Sequence, residues 1–190
     1  MTKDHLRKEY KRRRNTLTLV EKSLLNEGIF EHLKRIDWSM YKYVHVYMTL
    51  EKFNEPDTSR FIKWIKEYHD DINFVVSKSD FTKGEMRHYI LDDQTQLVEN
   101  NWGILEPING TLVDEQLLDL VIVPLLVVDS VGNRVGYGKG FYDRFLSICR
   151  KDVVSYGLSF FEPVASIDDV GEWDVKLSGC ITSSKIYSFS

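Results

Sequence analysis

The sequence predicts an α/β fold: a three-layer α/β/α sandwich around a mostly parallel central sheet. Three observations predict it. Short apolar runs of strand length alternate with longer segments of helical spacing, the pattern of strand–helix–strand units. Residues 120–123 are uninterruptedly apolar and closed by Pro124, which suits a strand buried on both faces. A glycine cluster follows, where a loop leaves the carboxyl edge of that strand, and open α/β sheets seat their ligands at such edges.

Taken in order, residues 3–14 contain no Gly or Pro and read as a helix. Thr18 then N-caps a second helix, with Glu21 three residues on completing a capping box. Leu19, Val20, Leu24, Ile29, Phe30 and Leu33 keep helical spacing up to residue 34. Residues 43–48 are β-branched and aromatic, hence a strand. Asp57 or Thr58 caps a helix carrying Phe61, Ile62, Ile65 and Tyr68 on one side, and 72–76 is another short strand. The stretch 77–115 is less periodic, with a strand pair expected between 86–91 and 96–98. A helix over 141–149, a strand over 153–158 and short strands at Ile181 and 186–189 complete the chain. No repeat, linker or low-complexity tract interrupts it, so one domain over 1–190 is expected.

Composition excludes several classes. With 43% hydrophobic and 13% aromatic residues the chain can bury a core, which disordered chains cannot. A net charge of −4 gives no global attraction to nucleic acid or anionic membrane, and no apolar run reaches membrane-spanning length. Two cysteines make no disulfide scaffold, and the five histidines lack ligand spacing for zinc. The basic start is not followed by the apolar segment of a signal peptide. A cytoplasmic protein is expected, a monomer with small-molecule partners and neither nucleic acid nor membrane. Ser39 and Lys42 match a serine-x-x-lysine pattern whose companion motifs are missing.

Charge is uneven, however. The first fourteen residues hold Lys3, Arg7, Lys8, Lys11, Arg12, Arg13 and Arg14 against Asp4 and Glu9.

The richest segment is Arg134-Val135-Gly136-Tyr137-Gly138-Lys139-Gly140-Phe141-Tyr142-Asp143. Alternating glycines let backbone N–H groups approach an anion, and the following helix points its partly positive N-terminus at the same place. Arg134 and Lys139 add full charges suited to phosphate, and Asp143 is placed to hold a phosphate-bound Mg²⁺. Glycine alternation alone also marks a simple tight turn. The segment is neither a Walker A loop, since Gly140 follows Lys139, nor a dinucleotide fingerprint, since its third glycine comes too early.

This segment resembles the signature of the 5-formyltetrahydrofolate cyclo-ligase family, also called 5,10-methenyltetrahydrofolate synthetases. Companions in the same order strengthen the likeness: Lys3-Asp4-His5-Leu6-Arg7 near the start, Glu55-Pro56-Asp57-Thr58, Trp102-Gly103-Ile104-Leu105-Glu106-Pro107, Asp119 with the strand after it, and Trp173-Asp174-Val175. Leu125 to Asp129 departs from it, lacking the glycine and aromatic residue the family commonly has there.

The resemblance implies a fold like that of sugar-phosphate isomerases and CoA transferases. It also implies ATP-dependent closure of 5-formyltetrahydrofolate to 5,10-methenyltetrahydrofolate, with ATP and Mg²⁺ required. Carried over by position, Lys3, Arg7, Arg134, Gly136, Tyr137, Gly138, Lys139, Gly140, Phe141 and Tyr142 would bind ATP. Met48, Glu55, Tyr137, Gly138, Lys139 and Gly140 would meet the folate, Glu55 at the pterin edge. Lys139, Arg134 and Tyr142 would be catalytic, and Asp143 and Asp174 would hold the metal.

Each residue has a plainer reading. Lys3 and Arg7 lie one turn apart on a basic helix, Glu55 precedes a helix whose dipole it favours, Asp174 could serve a turn, and Asp143 has Lys139 one turn earlier. Two other functions remain open: a sugar-phosphate- or CoA-handling enzyme of the same fold, and a phosphate-effector or nucleic-acid-binding module using the basic helix as an arm.

Overall fold

A computed structural model describes residues 1–189. The chain opens with α1 (Lys3–Thr16) and α2 (Leu19–Leu33). The capping box is present in full: Thr18 Oγ1 accepts from the Glu21 N–H, and the Glu21 carboxylate accepts from the Thr18 N–H at 2.7 Å. There follow β1 (Tyr43–His45), α3 (Ser59–Tyr68), β2 (Asn73–Asp80), β3 (Glu85–Ile90), β4 (Leu97–Glu99), β5 (Leu105–Pro107) and β6 (Leu112–Val113). The second half holds β7 (Leu120–Pro124), β8 (Val127–Val128), β9 (Arg134–Val135), α4 (Phe141–Ile148), β10 (Val154–Leu158), β11 (Gly179–Ile181) and β12 (Ile186–Ser188).

Eight strands form the main sheet in the order β12-β11-β10-β7-β1-β2-β3-β6. Its centre is parallel from β11 to β2, and antiparallel strands extend both edges. The central strands are buried on both faces, so their alternate residues feed two cores. Leu120 and Ile122 of β7 join Val44, Phe74 and Val76 beneath α1, α2 and α3. Val121 and Val123 join Val75, Phe145 and Leu146, the last two from α4. The three layers predicted from the alternation are therefore present, one with three helices and one with α4.

Two expectations need correction. The strand expected over 43–48 ends at His45, because Tyr47 turns its polar groups toward the approach to α3: its hydroxyl donates to the Pro56 carbonyl (2.8 Å) and its own carbonyl accepts from Thr58 Oγ1 (2.8 Å). Thr58 stands at the N-cap of α3 as expected; that same bond occupies its hydroxyl, and Asp57 accepts from the Ser59 N–H at 2.9 Å. The segments 86–91 and 96–98 do not pair with one another. β3 folds back on β2 as a hairpin, whereas β4 pairs with β5.

Beneath α4, β1, β2 and β3 hold a chain of polar groups, the buried His45 and His88 joined through the half-buried Ser77. His45 Nε2 and Ser77 Oγ are 2.7 Å apart, and Ser77 Oγ and His88 Nδ1 are 3.0 Å apart. The His88 ring stacks on Phe145, 4.1 Å between centroids. Burial pushes the His45 pKa well below its ordinary value and that of His88 down to about 4. The unfolded chain, titrating near 6.5, therefore binds more protons than the folded one between pH 6.5 and about 4. Unfolding free energy should fall across that window as pH drops, by roughly 3 kcal/mol from His88 alone. Urea titrations at a series of pH values would measure it, and His88→Gln should flatten the slope.

Candidate active site

The glycine segment is shaped by the strand pair before it. β8 and β9 are antiparallel, with Val127 opposite Val135 and Val128 opposite Arg134. Asp129 ties their turn: its buried carboxylate accepts from the N–H groups of Val131 (3.0 Å) and Asn133 (2.9 Å) and from Asn133 Nδ2 (2.9 Å). Arg134 is thereby held in a buried position, donating from Nη2 to Asp143 Oδ1 at 2.7 Å and from Nη1 to the Val175 carbonyl. Burial lowers its pKa against the opposing charges of Asp143 and Asp174, and a guanidinium starts high enough to stay charged.

Beyond β9 the chain needs glycine. Gly138 has φ +89°, and a Cβ there would stand 3.3 Å from the Arg7 guanidinium. Gly140, at φ +69°, is the N-cap of α4 and brings no side chain to the helix's first N–H groups.

Helix α1 closes the segment from the other side, presenting Lys3, Arg7, Lys11 and Arg14 at helical spacing. Arg7 Nε donates to the Gly136 carbonyl at 3.1 Å, and Lys3 Nζ pairs with Asp174 Oδ2. Burial works to raise the Asp174 carboxyl, but Lys3, the Gly171 N–H and Arg134 outweigh it and leave its pKa below the ordinary value. Arg14 is 1% exposed; it donates from Nη2 to the Leu125 carbonyl and from Nη1 to Tyr137 Oη at 2.9 Å.

These groups surround one cavity of about 600 Å³, a volume that suits a small-molecule site. It opens at the carboxyl edge of the sheet, between Tyr47 and Met48 after β1, Ser77 and Ser79 on β2, and Pro124 at the end of β7. Six cations line it (Lys3, Arg7, Lys11, Lys52, Arg134, Lys139) against three carboxylates (Glu55, Asp143, Asp174), so it is positive within a chain of net charge −4. Aromatic rings form the remaining wall. Phe53 stacks on Tyr137 at 5.1 Å, and Phe81 lies 5.2 Å from Phe141 and 5.4 Å from Trp102.

Glu55 sits in this wall, 6% exposed. Its Oε1 accepts from Tyr137 Oη at 2.6 Å and its Oε2 from the Leu50 N–H at 2.8 Å. Burial raises its pKa, and the bonds from Tyr137 and Leu50 with the charge of Arg14 hold back part of the rise. Burial also pushes the hydroxyls of Tyr137 and Tyr142 well above the usual tyrosine value, so both remain proton donors.

Every candidate residue from the sequence lines this cavity except Gly140, whose part is to start α4. The plainer partners are replaced: Asp143 pairs with Arg134 rather than Lys139, and Glu55 is committed to Tyr137 and Leu50. Asp174 does serve a turn, accepting from the Gly171 N–H at 2.6 Å, and pairs with Lys3 as well. Sequence reasoning missed Arg14, Lys11, Lys52, His45 and Ser77. Arg14 and Lys11 could have been found, since they share the helical face of Lys3 and Arg7. Lys52 and Ser77 reach the cavity through long-range folding and carry no local signal.

Fold and site together define a small α/β protein with a cationic glycine turn at the sheet's carboxyl edge, opening into an aromatic cavity. Residues 1–182 match the 5-formyltetrahydrofolate cyclo-ligase family, and the chain belongs to that family. It is 29% identical over 186 residues to the 5-formyltetrahydrofolate cyclo-ligase of Mus musculus, covering 90% of this chain and 89% of that protein. With the enzyme of the same name from Haemophilus influenzae it shares 27% identity over 184 residues, 92% of this chain and 94% of that one. The NMR structure of Aquifex aeolicus 5,10-methenyltetrahydrofolate synthetase has the same fold, with a TM-score of 0.82 at 24% identity over 99% of this chain and 93% of its own.

Two glycines of the turn should respond differently to alanine. Gly138→Ala places a side chain at φ +89° against Arg7, and should lose about 1–2 kcal/mol of stability and weaken binding of inorganic tripolyphosphate. No atom lies within 4 Å of the point a Cβ on Gly136 would occupy, so Gly136→Ala should stay within about 0.5 kcal/mol of the parent. Denaturant melts and calorimetric titration of tripolyphosphate would separate them.

Proposed function

We propose that this chain couples ATP hydrolysis to closure of 5-formyltetrahydrofolate, giving 5,10-methenyltetrahydrofolate, ADP and phosphate. The observation that carries the reading is one cavity that combines a cationic glycine turn with a buried, hydrogen-bonded carboxylate. A triphosphate needs the first and the donor edge of a pterin needs the second.

The formyl oxygen is a weak nucleophile and a poor leaving group. Its attack on the γ-phosphorus expels ADP and leaves an iminium carbon bearing a phosphate ester. N10 attacks that carbon, loses its proton, and phosphate departs as the ring closes. Phosphoryl transfer of this kind needs positioning and neutralisation of charge more than a protein nucleophile. Lys3, Arg7, Arg134 and Lys139 supply positive charge, and the N–H groups of residues 136–142 supply dipoles. Tyr142, kept protonated by burial, can donate toward the formyl oxygen or the transferred phosphoryl group. Glu55 accepts from adjacent N–H groups of the pterin, with Met48 and Phe53 beside it.

Mg²⁺ takes one or two carboxylates and completes its shell with phosphates and water, so Asp143 and Asp174 fit it without a larger acidic cluster. When bound it would neutralise phosphate charge. The free, buried Cys149 and Cys180 support a reducing, cytoplasmic location.

Purified protein given 5-formyltetrahydrofolate should develop the methenyl chromophore only when ATP and Mg²⁺ are both present. Arg134→Ala and Lys139→Ala should each lower kcat/KM for ATP about a hundredfold, and Asp143→Asn should raise the Mg²⁺ concentration needed for half-maximal rate. Unchanged kinetics in all three variants would place the triphosphate elsewhere.

A further inference from the structure

Glu55 is not a lone carboxylate on the cavity wall. It ends a hydrogen-bonded chain that starts at the Leu125 carbonyl and passes through Arg14 and Tyr137 Oη to Oε1, while the Leu50 N–H holds Oε2. Arg14 and Glu55 are buried, and Tyr137 between them is partly buried. An ionised carboxylate offers about two acceptor positions on each oxygen. The protein fills one on each and leaves one on each, in a residue that lines the cavity. That is the arrangement a pair of adjacent N–H donors requires.

We propose that Arg14 and Tyr137 are positioning residues for Glu55, fixing the plane of its carboxylate so that one free acceptor position on each oxygen meets the pterin's donor edge. The inference rests on the reading of Glu55 as the pterin acceptor. It gives Tyr137 a side-chain role distinct from the phosphate and substrate contacts expected along the glycine segment.

Glutamate has three rotatable side-chain bonds, and the Tyr137 bond stops the last of them. It also favours the charged form that accepts from two donors; a protonated Glu55 would turn one oxygen into a donor and lose the match. The titratable neighbours of Glu55 are Arg14 from α1, Tyr47 beyond β1, Tyr137 of the glycine segment and Tyr142 of α4. Lys11 and Lys52 share the cavity. Burial keeps the three tyrosines neutral, so among these groups Glu55 alone changes charge on the acid side of neutrality. Its pKa, already raised by burial, rises further once the Tyr137 bond is gone.

Tyr137→Phe removes that bond and keeps the ring on Phe53. It should raise KM for 5-formyltetrahydrofolate about tenfold, leave KM for ATP within about twofold, and move the acid limb of kcat/KM for the folate to higher pH. Arg14→Lys should move the folate KM in the same direction. A thermal melt of each variant confirms that the fold is retained, and Glu55→Gln serves as the reference. If Glu55→Gln raises the folate KM while Tyr137→Phe changes neither that KM nor the acid limb, the positioning role is overturned. If Glu55→Gln itself leaves the folate KM unchanged, the pterin reading of Glu55 falls, and this inference falls with it.

Discussion

The site depends on a charge buried where a charge is costly. Withdrawing a guanidinium from water costs several kcal/mol unless fixed acceptors receive its N–H groups. Arg14 finds them only when three distant stretches meet: its own helix α1, the chain from Leu125 to Tyr137, and the loop that ends at Glu55. Arg7 on the Gly136 carbonyl and Lys3 on Asp174 repeat the arrangement toward the start of α1. The helix is therefore docked through its cations as well as through Leu6 and Tyr10, and docking brings those cations to the glycine turn. The interactions that fold α1 onto the sheet also build the cavity's positive wall.

The layered architecture was legible because its causes are local. Alternation of strand and helix, the Thr18–Glu21 box and the apolar run closed by Pro124 each need only a few neighbouring residues. The errors fall where a long-range bond overrides local preference. Tyr47 has a strand former's side chain, yet Thr58 claims its carbonyl and the chain leaves the sheet two residues earlier. Between β2 and β3 the turn was written in the sequence: Asp80 accepts from the N–H groups of Thr82 and Lys83, and Gly84 takes φ +70°. Weak apolar periodicity on both sides hid it, because the end of β2 and the start of β3 next to the turn are only partly buried.

The candidate site divides along the same line. A phosphate-type turn has a sequence grammar, since only glycine tolerates its φ angles and cations must flank it, so residues 134–143 could be read directly. Glu55 has no such grammar. Its decisive partner stands 82 residues away, and only resemblance to the family pointed to it. Arg14 was hidden differently, as the last member of a basic run whose neighbours Arg12 and Arg13 carry the same charge. What separates it from them is the helical face it shares with Lys3, Arg7 and Lys11, and the burial that follows from it.

Two ion pairs stand at the site before any ligand arrives: Lys3 with Asp174, and Arg134 with Asp143. On the proposed reading, that pairing favours the metal–nucleotide complex over either component. A triphosphate alone would draw the cations but face two carboxylates, and Mg²⁺ alone would draw the carboxylates but face the cations. The complex carries both signs, so each protein ion pair can open and each member find an opposite charge. The exchange leaves few charges unpaired at any stage, which matters most where the surroundings are too dry to screen them. On the same proposed reading an acidic chain can hold a strongly anionic substrate, because the acids nearest the phosphates would be the ones a cation covers.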